Sequence, residues 1–125
     1  MTVAVIGASE DRAKFGNKAV RAFRQAGHDV VAINPRCAGA EERIEGLPTY
    51  ASVADVPGPV DVATLYVHPA VGERVLAEIA AKGIPELWVN PGAESDTLLR
   101  RAKSLGLDTR QQCSILAIDE SPALY

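Results

Sequence analysis

The sequence predicts an α/β fold in three layers, with a mostly parallel sheet of five to six strands and helices on both of its faces. Two observations lead there. Short apolar, β-branched runs alternate along the chain with amphipathic stretches of helical period, the order that right-handed βαβ units require. Gly and Pro punctuate almost every junction between them. The chain has 125 residues, 47% hydrophobic and 23% charged, which suits one domain that buries its core without disulfides or metal. A single domain over 1–125 is therefore expected, with no internal repeat or linker.

Thr2 to Gly7 reads as a strand buried on both faces, followed by a loop over Ala8 to Lys14. From Phe15 to Ala26, the apolar positions Phe15, Ala19, Ala22, Phe23 and Ala26 recur at helical spacing. Lys18, Arg21, Arg24 and Gln25 take the other face, and Gly27 stops the helix. Asp29 to Asn34 is the next strand, closed by Pro35, and the polar segment from Arg36 to Gly46 is a long connection. Leu47 to Ala51 is expected to hold a brief edge strand, with a short helical turn at Ser52 to Val56. Val60 to Val67 is the most apolar strand, and Pro69 sits where a first helical residue tolerates proline. The helix that follows is expected to bury Val71, Val75, Ile79 and Ala80 and to end at Gly83. Ile84 to Val89 is a strand with Trp88 in the core. Ser95 or Asp96 caps a helix carrying Leu98, Leu99, Ala102 and Leu105, which Gly106 ends. Leu107 to Gln111 is the last strand, and the tail Ser121 to Tyr125 is expected to be loosely held.

The formal net charge is -3 and no run of Lys and Arg occurs, so nucleic acid is not an expected partner. The longest apolar stretches, such as Val62 to Val67, fall far short of the roughly 18 residues of a membrane helix. The N-terminus enters a strand-like run at Val3 without a charged leader region, so a cytoplasmic location is expected. Cys37 and Cys113 form no CxxC motif and are expected to be free thiols. With His28 and His68 they show no zinc-site spacing, so no metal is expected.

In open parallel sheets, ligands bind beyond the carboxyl ends of the strands, where the strand order reverses. Four segments fall there: Gly7-Ala8-Ser9, Asn34-Pro35-Arg36, Val67-His68-Pro69 and Asn90-Pro91-Gly92. The first leads through small residues to a helix start near Phe15 and Gly16, where unpaired N–H groups favour an anion. It is not GxGxxG, and an ordinary strand-to-helix turn also uses Gly and Ser. Lys14 either neutralises a phosphate or is a solvated surface cation. The second segment discriminates more. A site for NAD places an Asp or Glu after the second strand to bond the ribose, whereas this chain has Asn34-Pro35-Arg36. A guanidinium there prefers a phosphate on the adenosine ribose, as in NADP or coenzyme A; the plain alternative is a loop cation. His68 faces the crevice but has no second titratable group to complete a catalytic pair, and helix entry is its simpler role. Cys113 is either a reactive thiol or a small buried hydrophobe.

Taken together, Val3-Ala4-Val5-Ile6-Gly7-Ala8-Ser9, Lys14 with Gly16, Val31-Ala32-Ile33-Asn34-Pro35-Arg36, Val67-His68-Pro69 and Leu87-Trp88-Val89-Asn90 before Pro91-Gly92 resemble the CoA-binding domain family. This is the stand-alone form of the Rossmann-like domain in the α subunit of succinyl-CoA synthetase. The resemblance runs from Val3 to about Ile118 and lies in the order and spacing of the pieces. It implies coenzyme A lying across the carboxyl edge of the sheet. Gly7, Ala8, Ser9, Phe15 and Gly16 would meet the pyrophosphate with Lys14 nearby. Asn34, Pro35 and Arg36 would hold the adenosine part and its ribose phosphate, and Val67, His68, Pro69 and Asn90 would line the crevice. The synthetase's phosphorylated histidine belongs to a second domain with no counterpart in these residues, so ligase activity is not implied. The connection from Cys37 to Gly46 departs from an anion site, with Glu41, Glu42 and Glu45, and reads as a solvated loop.

Three functions remain in competition. The first is a non-catalytic CoA-binding module. The second is a subunit or relic of an acyl-CoA ligase, or of an NADP-linked enzyme, that needs a partner chain. The third is a sensor of CoA redox state through a mixed disulfide at Cys113.

Overall fold

The computed structural model describes residues 1–37 and 44–125. Its strands are β1 (Thr2–Ile6), β2 (Asp29–Ile33), β3 (Thr49–Tyr50), β4 (Val62–Leu65), β5 (Glu86–Val89) and β6 (Asp108–Gln111). Its helices are α1 (Phe15–Gln25), α2 (Pro69–Lys82), α3 (Asp96–Ser104) and α4 (Ser114–Ala117), with 3-10 turns at Val53–Asp55 and Pro122–Leu124. All five strand pairings are parallel, in the order β3-β2-β1-β4-β5-β6. The chain starts at the middle of the sheet, winds outward through β2 to β3, then returns to lay β4 on the other side of β1. The order reverses between β1 and β4, and the connections that leave the carboxyl ends of those two paired strands run in opposite directions.

Alternation along each strand divides the core into two. Ala4, Ile6, Ala63, Leu65, Leu87 and Val89 face α2 and α3, where they meet Leu76, Ile79, Leu98 and Ala102. Val3, Val5, Ala32, Val62 and Trp88 face the other way, onto Ala19, Val20, Phe23 and Ile115 of α1 and α4. Trp88 is buried as expected, and its indole N–H donates to Glu86 at 3.0 Å.

The helices keep their predicted places but not all their predicted faces. In α1, Val20 is fully buried while Phe15 is 52% exposed, because Phe15 opens the helix at the sheet edge and has no strand beneath it. Ala26 is the C-cap and is also exposed. In α2 the buried line is Gly72, Leu76 and Ile79. Val71 is 37% exposed and Val75 half-buried, a rotation of one position from expectation. The cause is local: a Cβ at Gly72 would stand 2.7 Å from Leu98 Cδ1, so the glycine marks where α2 packs on α3. In α3 it is Ser95 that caps, its hydroxyl accepting from the Leu98 N–H at 3.0 Å, and Leu105 is exposed at the C-cap.

The strand ends are shorter than read from sequence by one or two residues, within the usual scatter of such boundaries. The tail is the larger correction. Beyond β6 the chain forms α4 and then a 3-10 turn that brings the Tyr125 ring within 5.6 Å of the Arg21 guanidinium on α1, while its hydroxyl donates to Glu120. Of the acidic connection, Glu41 and Glu42 lie outside the described residues. Glu45 is described: its carboxylate accepts from Asn17 at 3.2 Å and pairs with Arg12 at 3.5 Å.

Candidate functional site

The crevice above β1 and β4 begins with the turn after β1. Gly7 has φ +92, and a Cβ there would overlap the backbone of Tyr66 as well as Val67, so only glycine lets the two strand ends come this close. Gly16, at the second position of α1, is held to the same standard: a Cβ would overlap the Gly7 carbonyl oxygen. Between them the loop is tied internally. The Asn17 amide donates to the Ser9 carbonyl at 2.8 Å, Ser9 Oγ accepts from the Asp11 N–H at 3.1 Å, and Asp11 Oδ1 accepts from Ala13 N–H at 3.0 Å. Lys14 is the N-cap of α1 and supplies no side-chain cap. The first residues of this eleven-residue helix, Phe15 and Gly16, line the crevice, and its first turn holds no acidic residue to offset the dipole.

The turn after β2 is fixed onto this loop. Asn34 donates from its side chain to the Ala8 carbonyl at 2.9 Å and accepts from the Arg36 N–H at the same distance. Both Asn34 hydrogen-bonding ends are thus spent on shape, with Pro35 limiting the turn between them. A cavity of about 400 Å³ results, walled by Gly7, Ala8, Ser9, Lys14, Asn34, Pro35, Arg36 and Val67, and floored by Val71 and Val75 of α2. The exposure of Val71, and the incomplete burial of Val75, are explained by this cavity. Neither Lys14 nor Arg36 has a side-chain hydrogen bond or ion pair to a described residue.

A second hollow of about 270 Å³ continues along the crevice between Lys14, Phe15 and Gly16 on one side and Val67, His68, Asn90, Pro91 and Gly92 on the other. His68 is the N-cap of α2, its Nδ1 accepting from the Ala70 N–H at 3.1 Å. Pro69 is the first residue of that helix and lines none of these cavities. Asn90 is only 2% exposed, and its amide is fully engaged. Nδ2 donates to Thr64 Oγ1 and to the Leu65 carbonyl, both at 2.7 Å, while Oδ1 accepts from the N–H and hydroxyl of Ser114, both at 2.8 Å. Asn90 lines the crevice, as the sequence led one to expect, and it is also the buried tie between β4, β5 and α4.

Tyr66, which sequence reasoning missed, stands at the centre. It walls all three cavities of the crevice. Burial pushes its phenol well above the usual tyrosine range, and the neighbouring Ser114 and Thr64 hydroxyls offset only part of that. Those hydroxyls are already bonded to each other at 2.5 Å and to Asn90, and Tyr66 Oη is left buried without a partner. Cys113 is a half-buried free thiol on a third cavity, with Phe15, Tyr66 and Pro122. Cys37 is buried, its thiol donating to Glu10 at 2.9 Å. Among the described residues no group of three or more His, Cys, Asp or Glu side chains could hold a metal ion, and no helix is long and apolar enough to cross a membrane.

A six-stranded parallel sheet wound in two directions from β1, with an uncapped helix start and a close glycine turn at its switch point, defines a Rossmann-like α/β domain. The model of the CoA binding domain matches residues 1–119, and the chain belongs to that family. The α subunit of ADP-forming acetate–CoA ligase II from Pyrococcus furiosus is 35% identical over 83 residues, which are 66% of this chain and 17% of the relative. The ADP-forming acetate–CoA ligase of Methanocaldococcus jannaschii is 32% identical over 83 residues, 66% of this chain and 11% of its own length. The chain thus spans a small part of these curated relatives. Among solved structures, a conserved hypothetical protein of Pyrococcus furiosus superposes with a TM-score of 0.84 at 34% identity, covering 93% of this chain and 97% of that one. A dinucleotide-forming acetyl-coenzyme A synthetase of Candidatus Korarchaeum cryptofilum, solved with phosphate and ADP, gives a TM-score of 0.74 at 32% identity, covering 89% of this chain and 25% of that one.

Proposed function

We propose that this chain binds coenzyme A along the crevice and does not itself transform it. The observation that carries the reading is the pairing of Lys14 and Arg36, both without a side-chain partner among the described residues, across one cavity whose third wall is the Gly7–Ser9 backbone. Two uncompensated cations and an open helix start favour a ligand with phosphates at two places. Coenzyme A has them: a pyrophosphate for Lys14 and the start of α1, and a ribose phosphate for Arg36. Asn34 and Pro35 hold the turn that aims Arg36, while Val71 and Val75 offer an apolar surface to the adenine. Gly16, Phe15, Val67 and His68 would flank the pantetheine arm. Pro69 and Asn90 support this site from behind, as helix start and buried tie. The non-catalytic part is supported by His68, whose Nδ1 is occupied by capping α2, with no titratable side chain bonded to it among the described residues.

Calorimetry with CoA, dephospho-CoA, NADP and NAD tests the reading. CoA is expected to bind at least tenfold more tightly than dephospho-CoA, the size of one lost hydrogen bond to a charged group. Arg36→Ala is expected to remove that difference and to leave dephospho-CoA binding unchanged. Equal affinity for the two in the unaltered chain would strip Arg36 of its role, and no binding of CoA would end the proposal.

The ligase-linked alternative draws on the name of the Pyrococcus furiosus relative, a subunit of an acetate–CoA ligase. On that reading the domain presents CoA to a partner chain that carries the chemistry. Co-purification with a ligase subunit, and acetyl-CoA formation only in its presence, would favour it over an autonomous module. NADP binding tighter than that of CoA would favour a reductase partner instead.

A further inference from the structure

The crevice does not end at Asn90. A cavity of about 350 Å³ adjoins it on the α1 and α4 side of the sheet, lined by Phe15, Tyr66, Asn90, Pro91, Cys113 and Pro122. Four of these, Phe15, Tyr66, Asn90 and Pro91, also line the central hollow of about 270 Å³, so the two spaces share a wall. The lining carries no charge. Its polar members present little to a ligand: the Asn90 amide is saturated by Thr64, Leu65 and Ser114, and Tyr66 Oη is buried away from solvent. Phe15 has its large ring exposed at this rim. The segment after β6 supplies the far wall through Cys113 and through Pro122, the latter in the tail Ser121 to Tyr125 that the sequence suggested was loosely held.

We propose that this cavity receives the acyl group of an acyl-CoA, so that the site prefers aliphatic acyl thioesters to free CoA. The inference rests on the CoA reading above and adds the class of acyl group. An apolar cavity of about 150 Å³ takes a benzene ring, so this one has room for an unbranched chain of roughly six to eight carbons. It is the wrong place for a dicarboxylic acyl group, because no lining side chain would compensate a terminal carboxylate withdrawn from water.

Calorimetry on the full chain with CoA, acetyl-, butyryl-, hexanoyl- and succinyl-CoA tests this. Affinity is expected to rise with chain length by up to about fourfold per buried methylene, the equivalent of about 0.8 kcal/mol. Hexanoyl-CoA should bind at least tenfold more tightly than acetyl-CoA, and succinyl-CoA no more tightly than CoA. Cys113→Phe, which fills the cavity, should bind CoA as the unaltered chain does and lose the gain with length. If CoA binds but the series is flat, or the gain survives in Cys113→Phe, the acyl pocket is wrong and the CoA reading stands. If CoA itself does not bind, the CoA reading fails, and the acyl proposal with it. A flat series together with a dimer in sedimentation would hand the cavity to a second copy and overturn the proposal. Should Cys113→Phe fail to fold, the alkylation rate of Cys113 in the unaltered chain replaces it. Hexanoyl-CoA should slow iodoacetamide at Cys113 at least fivefold more than CoA does, and equal slowing overturns the idea.

Discussion

At the scale of single residues, the site is governed by which polar atoms are spent and which are left over. Asn34 and Asn90 both stand at strand ends facing the crevice, and from sequence both read as ligand contacts. Asn34 is consumed by Ala8 and Arg36, and Asn90 by Thr64, Leu65 and Ser114. The partners of Asn90 lie 24 to 26 positions away in the chain, beyond the reach of any local pattern, so its structural role was not legible. Tyr66 is the opposite case, a buried hydroxyl with no partner. An unsatisfied buried hydroxyl costs about 1–3 kcal/mol, so Tyr66→Phe is expected to gain about 1 kcal/mol at pH 8 by urea denaturation. The pH dependence has a definite sign. The raised phenol keeps its proton in the folded state, while the unfolded chain releases it near the ordinary value of about 10. Stability is therefore whole below that value and falls as pH rises through it. Between pH 8 and 10.5 the unaltered chain should lose about 0.8 kcal/mol more than Tyr66→Phe. Tyr125, whose phenol is also raised through its hydrogen bond to Glu120, is present in both and cancels. Equal losses in the two proteins would mean that the Tyr66 hydroxyl is solvated.

At the scale of elements, periodicity located the strands and long helices correctly, because parallel strands buried on both faces are continuous apolar runs and Gly or Ser stands at the helix ends. It mistook Val71 for core, whereas that valine is exposed and lines the crevice, since an apolar side chain at a cavity looks the same in sequence as one beneath a helix. Val75 packs against the core while bordering the same cavity, and Phe15, which the sequence also placed at the crevice, lies there. The four-residue α4 is too short to show a period at all. The start of α2 was read correctly from Pro69, and His68, for which helix entry was the simpler role, supplies the cap. A lost N-cap costs about 1 kcal/mol, so His68→Ala should lower stability by about that much, and His68→Asn, which keeps an acceptor, should recover most of it. Coenzyme A affinity should change by less than threefold in His68→Asn. A tenfold loss there, with stability retained, would assign the imidazole to the ligand rather than to the helix.

At the scale of the whole molecule, one sheet serves two cores. The α2 and α3 side and the α1 and α4 side have no hydrophobic residue in common, yet each strand of the centre contributes alternate side chains to both. Neither half can keep its strands if the other melts, so unfolding is expected to be a single cooperative step. The switch-point rule made the location of the crevice legible from the element order alone. What the order could not reveal is that the crevice draws its walls from both sides of the sheet, with Val71 and Val75 from the α2 and α3 side and Phe15, Tyr66 and Cys113 from the α1 and α4 side. A ligand there ties the two cores together. The one tryptophan, Trp88, reports the α1 and α4 side, while far-UV circular dichroism reports mainly the longer helices of both. Their urea transitions should coincide without ligand. With coenzyme A at 100 times its dissociation constant, both should shift together by about 2.7 kcal/mol. A Trp88 transition preceding the circular dichroism would show that the α1 and α4 layer opens on its own. A ligand shift confined to one probe would place the binding on one side of the sheet instead of across it.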